Sequence, residues 1–396
     1  MNRRDFFLTQ IKLAVGLGLF SQSRAFATAA ESLAKTHAKK ISSLHELIKI
    51  TKEANLKTLT VSGIDPTVDF FVKSEGDYGA PNPGLVFFND RFDYVIVDLP
   101  LFPHSVEQNP TDPSKIMLIP RRLNNCIEFD IVQNKITNEI ILPKNKFYGH
   151  GCYVAGTDLF YATSILSEKL LESSLVLFDL KTKQLVNEVH LENAYGAHQC
   201  SLSRDGKNII VTTPIETKRA KPSFLWIDVK TGKITKTVTG VQKRADHFSE
   251  LEDGYIIFTG GEKNNNATPT VLGAISPDDI PHNFKIEGDL THFYNQSVSI
   301  LGFIDKNISI MTNATQNSVY VMDYKKGTLV KRLNIPTPRG LSLTEDNKKL
   351  LITSLHSRDN KSASIFEVDL ETLLVTNVFL FDKARVHSSH ATRIVI

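Results

Sequence analysis

Phe147-Tyr148-Gly149-His150-Gly151-Cys152-Tyr153, followed by Leu159-Phe160-Tyr161-Ala162-Thr163, sets a histidine between two glycines ahead of a turn and a second apolar run. The same sentence returns as Gly196-Ala197-His198-Gln199-Cys200-Ser201-Leu202 before Asn208-Ile209-Ile210-Val211-Thr212-Thr213, and as Ala245-Asp246-His247-Phe248 before Gly254-Tyr255-Ile256-Ile257-Phe258-Thr259. The chain repeats. An Asp that ends an apolar strand and opens a turn recurs at Asp130, Asp179, Asp228, Asp278, Asp323 and Asp369, with gaps of 49, 49, 50, 45 and 46. The residue that opens each repeat is His104, His150, His198, His247, Gln296 (or its neighbour Asn295), Arg339 and His390, with gaps of 46, 48, 49, 49, 43 and 51. Periods of 40 to 50 residues, made of short strands and turns without helical periodicity, identify β-propeller blades. Seven openers mean seven blades.

Within a blade the opener starts the innermost strand. A turn such as Ser203-Arg204-Asp205-Gly206-Lys207 or Thr344-Glu345-Asp346-Asn347-Lys348 leads to the second strand, and the third ends in Asp, as in Phe224-Leu225-Trp226-Ile227-Asp228 and Val319-Tyr320-Val321-Met322-Asp323. These aspartates resemble metal ligands, but a carboxylate that accepts backbone hydrogen bonds in the following turn explains their spacing without a metal.

From Thr58 the chain shows three strands, Thr58–Val61, Leu85–Phe88 and Tyr94–Asp98, separated by a loop at 77–84. A blade needs four. The C-terminus, His390–Ile396, has an opener and a strand but no chain left for a blade. The expected fold is therefore an all-β seven-bladed propeller of four-stranded blades over 58–396. The C-terminal strand should lie innermost in the first blade and close the ring, leaving no free sheet edges at the seam.

Ahead of it, Arg3-Arg4 precede Phe6-Phe7-Leu8, a modest apolar run over 13–20 and a small-residue site at Ala25-Phe26-Ala27. That order predicts a twin-arginine (Tat) signal over 1–27 and a periplasmic mature protein. The run is too short to span a bilayer, so no integral membrane segment is expected in the mature chain. Removing Arg3, Arg4, Lys12, Arg24 and Asp5 takes away +3 of a whole-chain charge of +3, so no concentrated positive field for nucleic acid remains. Residues 28–57 read as a linker. Within it Leu33, His37, Ile41, Leu44, Leu47 and Ile48 fall at helical spacing, which predicts an amphipathic helix over 31–54, either docked on the propeller or loosely attached.

Five histidines with Gln296 and Arg339 should ring one mouth of the central channel. Neutral imidazoles suit iron, zinc or copper, and His150, His198 and His247 form the candidate metal set. Against that stands a repeated structural job, each imidazole bonding backbone in the next blade. Metal–nitrogen bonds are only about 2.0 to 2.1 Å, so side chains spread round a seven-fold ring would have to converge strongly to ligate. Cys152 and Cys200 follow their openers by two residues and read as equivalent inner-strand positions, too far apart to bridge; with Cys126 they are expected as buried free thiols.

The motif at 147–163, the Gly196-Ala197-His198 opener with Asp205-Gly206-Lys207, and the histidine-containing C-terminus resemble the bacterial Tat-exported family catalogued as domain of unknown function 1513. The resemblance covers roughly 58–396 and the signal. It implies a seven-bladed propeller, often encoded beside periplasmic iron-uptake proteins of imelysin and di-haem cytochrome type, with no established activity. Where relatives tend to have Pro-His-Glu this chain has Ala197-His198-Gln199, and where they tend to have Arg-His it has Asp246-His247.

Two function classes stay open. One is a non-catalytic periplasmic propeller, accessory to iron uptake, that binds a metal, a small ligand or a protein partner at the channel mouth. The other is a metal-dependent, lactonase-like hydrolase or an oxidoreductase. The chain has no Gly-x-Ser-x-Gly elbow and no Cys-x-x-Cys-His, and its one Trp is few for a quinone-cofactor propeller. The openers offer no carboxylate of the kind lactonase-like propellers turn into the channel, with Asp246 the nearest substitute. These features favour binding.

Overall fold

The computed structural model describes residues 35–64, 83–166, 171–261, 271–284, 297–355, 363–381 and 386–396. The residues expected to form the signal, Arg3, Arg4, Ala25 and Ala27, most of the loop at 77–84, and the opener Gln296 with Asn295 lie outside them. Seven sheets follow one another along the chain; in blades two to six the strands are antiparallel and ordered as in sequence, while the first and seventh sheets each gain a fifth, parallel strand from residues 35–40 and the first takes its innermost strand from the C-terminal stretch. Blades two to six are four-stranded and span 105–141, 146–195, 200–239, 247–283 and 297–334. The seventh runs from Pro338 to Leu380. The protein is a seven-bladed β-propeller.

The core lies between sheets. Leu175 and Leu177 of the third blade pack with Ile209, Val211 and Leu225 of the fourth, and Ile310, Val319 and Val321 of the sixth with Leu350 and Ile352 of the seventh. Second and third strands are covered on both faces by neighbouring blades, which is why they read as near-continuous apolar runs. Fourth strands lie at the rim; Gln184–Tyr195 is mostly exposed or half-buried.

The chain ends close the ring as the strand count requires. Val386–Val395 is the innermost strand of the first blade and pairs antiparallel with Thr58–Ile64, Thr58 opposite Val395 and Ser62 opposite Ala391. Side chains seal the seam on both sides. Gln108 of the second blade accepts from the Val395 N–H at 2.9 Å and donates to its carbonyl at 2.7 Å, imitating a strand partner. Arg393 reaches Asp90 at 3.2 Å, and the same carboxylate accepts from the Glu345 N–H of the seventh blade.

Two expectations need correction. The helix is α1, Leu44–Glu53, not 31–54. Lys35–His37 instead pairs parallel with Val378–Leu380 at the outer edge of the seventh blade, and Lys39–Lys40 with Asp93–Tyr94 at the outer edge of the first. Edge strands present unpaired N–H and C=O groups that a helix could not satisfy. Ser43 then caps α1, its hydroxyl accepting from the Glu46 N–H at 3.2 Å. Leu44 and Leu47 are buried against Leu59, Leu85 and Phe87, so this segment is docked across the seam rather than loosely attached.

The second correction concerns Asp278. Five of the six marker aspartates do accept from backbone N–H groups two and three residues on, as Asp228 does from Lys230 and Thr231 at 3.1 and 2.8 Å. In the fifth blade Ser276 takes that place, its hydroxyl accepting from the Ile280 N–H at 3.3 Å, while Asp278 lies inside the turn. Asn89 fills the position in the first blade, accepting from Arg91 and Asp93. With Ser276 the adjoining gaps become 48 and 47, more even than 50 and 45.

Leu47→Ala should cost about 2 to 5 kcal/mol in urea unfolding, since a fully buried leucine is lost at the seam. His45→Ala, on the exposed face of the same helix, should stay within about 0.5 kcal/mol.

Candidate functional site: an axial histidine cluster

Inner strands of five blades carry His104, His150, His198, His247 and His390 to the axis. They do not stand round an open mouth. His104, His150, His198 and His247 are only 7, 4, 3 and 5 % exposed, and His390 is partly buried. His150 lies centrally, its ring centroid 4.6 Å from His390, 4.9 Å from His198, 5.2 Å from His104 and 5.5 Å from His247, in edge-to-face arrangements. The rings converge on the axis instead of spreading round a ring. Potential ligand atoms fall within 4.8 Å of one another in two sets sharing His150: His104, His150 and His198, and His150, His247 and His390. The expected set of His150, His198 and His247 is thus distributed over both.

Two local devices bring the rings together. Gly149 has φ +118°, and a Cβ there would lie 2.7 Å from His104 and 3.2 Å from His198, so only glycine leaves room for the neighbouring imidazoles. The second device is a hydroxyl on the second strand of each of several blades. Thr163 donates to the carbonyls of His150 at 3.1 Å and His198 at 2.9 Å, tying one opener to the next. Thr212 does so to Asp246, Thr312 to Arg339 and Ser62 to His390. These hydroxyls were missed in the sequence, although a threonine ends Leu159–Thr163, recurs in Thr212-Thr213 and ends Gly254–Thr259.

The purely structural reading accounts for part of the cluster. His198 Nδ1 is 3.0 Å from the Tyr148 carbonyl of the neighbouring blade. A carbonyl only accepts, so Nδ1 carries the proton and Nε2 keeps its lone pair, the arrangement that orients a ligating histidine. His150 Nε2 and His247 Nδ1, both buried, have no hydrogen-bond partner among the described residues. Buried polar atoms normally find one.

Burial is the leading reason that all five imidazoles resist protonation. His390 is pushed down to about 3, and the others fall well below 6.5, with neighbouring cations adding to the effect. At neutral pH the cluster is uncharged and basic toward a metal. Arg339 is 8 % exposed, and burial lowers it to about 10. Arg121 stacks over the Tyr148 ring at 4.9 Å and disfavours charge on four of the histidines. Carboxyl groups nearby are not free carboxylates: Asp246 is ion-paired with Arg244 at 3.2 Å, and burial lifts Glu107 to about 8.

Gln199 and the cysteines have other work. The Gln199 amide donates to the Phe248 carbonyl at 2.9 Å and accepts from its N–H at 2.8 Å, which a carboxylate could not do both of. All three cysteines are free and buried, as expected. Cys152 and Cys200 are not equivalent positions held apart. Cys152 pairs opposite Tyr161, two residues past Leu159, whereas Cys200 pairs opposite Val211, three past Asn208. One register step turns a side chain to the other face, so both thiols enter the same interblade cluster.

The family model described as "Protein of unknown function (DUF1513)" matches residues 97–372. No curated protein matches the chain. Among solved structures it is similar to a hydrazine synthase chain of Kuenenia stuttgartiensis, with 12% identity and a TM-score of 0.59 over 76% of this chain and 99% of that one. It is also similar to the Dos1 propeller, with 12% identity and a TM-score of 0.50 over 68% and 72%. At such identity the likeness is one of fold.

Imidazoles titrate near 6.5 when unfolded and lower when folded, so between those values the unfolded chain binds more protons. The metal-free protein should therefore lose stability as pH falls below 6.5, by up to about 1.4 kcal/mol per pH unit for each imidazole. Glu107, raised by burial, opposes this as a single group. Urea unfolding at pH 7.5, 6 and 5 checks the slope, which His150→Gln should flatten.

Proposed function

Because the chain belongs to the DUF1513 family of proteins of unknown function, we propose its role from the site: an exported, non-catalytic propeller that binds a transition-metal ion on its axial histidines. The observation that carries this reading is the meeting of neutral, buried imidazoles whose ring nitrogens at His150 and His247 have no hydrogen-bond partner among the described residues. Neutral nitrogen donors suit iron, copper, zinc or nickel and disfavour calcium or magnesium. Closing from 4.8 Å to the roughly 3.3 Å nitrogen separation of a tetrahedral site asks for shifts of about 1 Å or less per ring. His198 is already oriented for the task.

The periplasm is the proposed location, on the strength of Arg3-Arg4 and Ala25-Phe26-Ala27. Among candidate ions we favour iron, in a role accessory to iron uptake, because of the resemblance to Tat-exported proteins encoded beside uptake components. A hydrolytic metal centre needs a carboxylate or a free base beside the ion, and Asp246 and Glu107 are respectively paired and protonated. Binding without turnover is the better fit.

Metal analysis of protein recovered from the periplasm, followed by stripping and reloading with Fe2+, Cu2+ or Zn2+, tests the reading. About one ion per chain and a raised melting temperature are expected, both lost in His150→Ala and His198→Ala and both kept in His190→Ala, whose histidine is exposed. Protein that takes up none of the three ions, with unchanged melting, would overturn it.

A further inference from the structure

Two partly buried arginines of this propeller have carboxylate partners. Arg244 pairs with Asp246 and Arg393 with Asp90, each at 3.2 Å, although both side chains are 19% exposed. Arg339 is more deeply placed, yet no carboxylate lies within ion-pair distance of it among the described residues, and its Nε has no hydrogen-bond partner. Its position is not loose. Thr312 donates to its carbonyl at 2.7 Å, and a Cβ on the next residue, Gly340, would lie 2.3 Å from the Ala391 nitrogen. A guanidinium is always protonated and presents a planar fork of donors suited to oxyanions. The chain fixes the backbone that carries this side chain against the His390 strand, and its charge is close enough to act on His104.

Charge balance then decides what the site takes. Five neutral imidazoles contribute nothing against a divalent or trivalent cation, and Arg339 adds one more positive charge, with Arg121 a second nearby. Such a sum in a dehydrated interior is strongly unfavourable without an anion. We propose that the axial site binds its metal ion together with a small oxyanion, phosphate or hydrogen carbonate, which Arg339 holds and which completes the ion's coordination. This rests on the metal-binding reading above and deepens it. Ion and anion then bind cooperatively, each raising the affinity for the other by the same factor.

The test uses metal-free, full-length mature protein and Zn2+ as a redox-silent probe at buffered free-ion concentrations, with only chloride present, then with added phosphate or added hydrogen carbonate. Zinc affinity should rise tenfold or more with at least one oxyanion, and radiolabelled phosphate or hydrogen carbonate should be retained only with Zn2+ present. Arg339→Gln should lose the enhancement, and Arg339→Lys should restore part of it; thermal melts show whether each variant is folded. Equal zinc affinity of the unmodified protein in all three buffers overturns the oxyanion while leaving the metal site standing. Full enhancement in folded Arg339→Gln removes Arg339 from the role. No binding of Zn2+ in any buffer, and none of Fe2+ or Cu2+ under the same conditions, overturns both readings, which keeps the two failures distinct.

Discussion

The antiparallel pairing of Val386–Val395 with Thr58–Ile64 is the contact on which the rest depends. An open row of seven twisted sheets would leave the apolar faces of its first and last blades uncovered, and it would have no axis. Joining the ends covers both faces and creates an interior that no single blade contains. The seam is reinforced where a ring would otherwise part. Gln108 imitates a backbone partner for Val395, Arg393 and Glu345 meet at Asp90, and the stretch from Lys35 to Lys40 adds one short parallel strand to each adjoining blade.

Closure brings together residues that are as far apart in the chain as His104 and His390, whose ring centroids are 5.3 Å apart. Burying five imidazoles is costly in a protein of marginal net stability, because each must stay neutral and His150 Nε2 and His247 Nδ1 have no hydrogen-bond partner among the described residues. The interblade hydroxyls offset part of this by fixing the opener backbone from behind. Thr163 is the plainest instance, since one side chain satisfies the carbonyls of two successive openers.

Much of this was legible in the sequence, since blade number, the first-and-last strand closure and the turn aspartates all follow from recurring residue types at regular spacing. Asp278 misled because the turn needs only an acceptor at the strand end, and Ser276 supplies one without a carboxylate. The helix over 31–54 misled for a different reason. His37 and Ile41 stand at a helical interval, but in the extended segment His37 is exposed and its neighbour Ala38 is buried with Ile41, and only the free edges of two completed blades decide between the two. The site was half legible. Spacing named the openers, but whether the rings spread or converge depends on Gly149 and on hydroxyls from neighbouring blades, neither of which has a meaning until the blades are side by side.

Repetition first argued for a structural role, because seven equivalent positions exceed what any metal needs. The resolved geometry changes the weight of that argument. A purely structural set would give each imidazole a backbone partner, as His198 has with Tyr148. His150 departs from that pattern: it is central to both triads, deeply buried, and its Nε2 is without a hydrogen-bond partner among the described residues. Arg339 departs from it too, standing where the repeat calls for a sixth imidazole. A guanidinium cannot ligate a cation and repels one, so its presence among the openers is intelligible only if negative charge belongs to the same place. Five uncharged donors and one fixed cation describe a compartment whose complement is a salt rather than a bare ion.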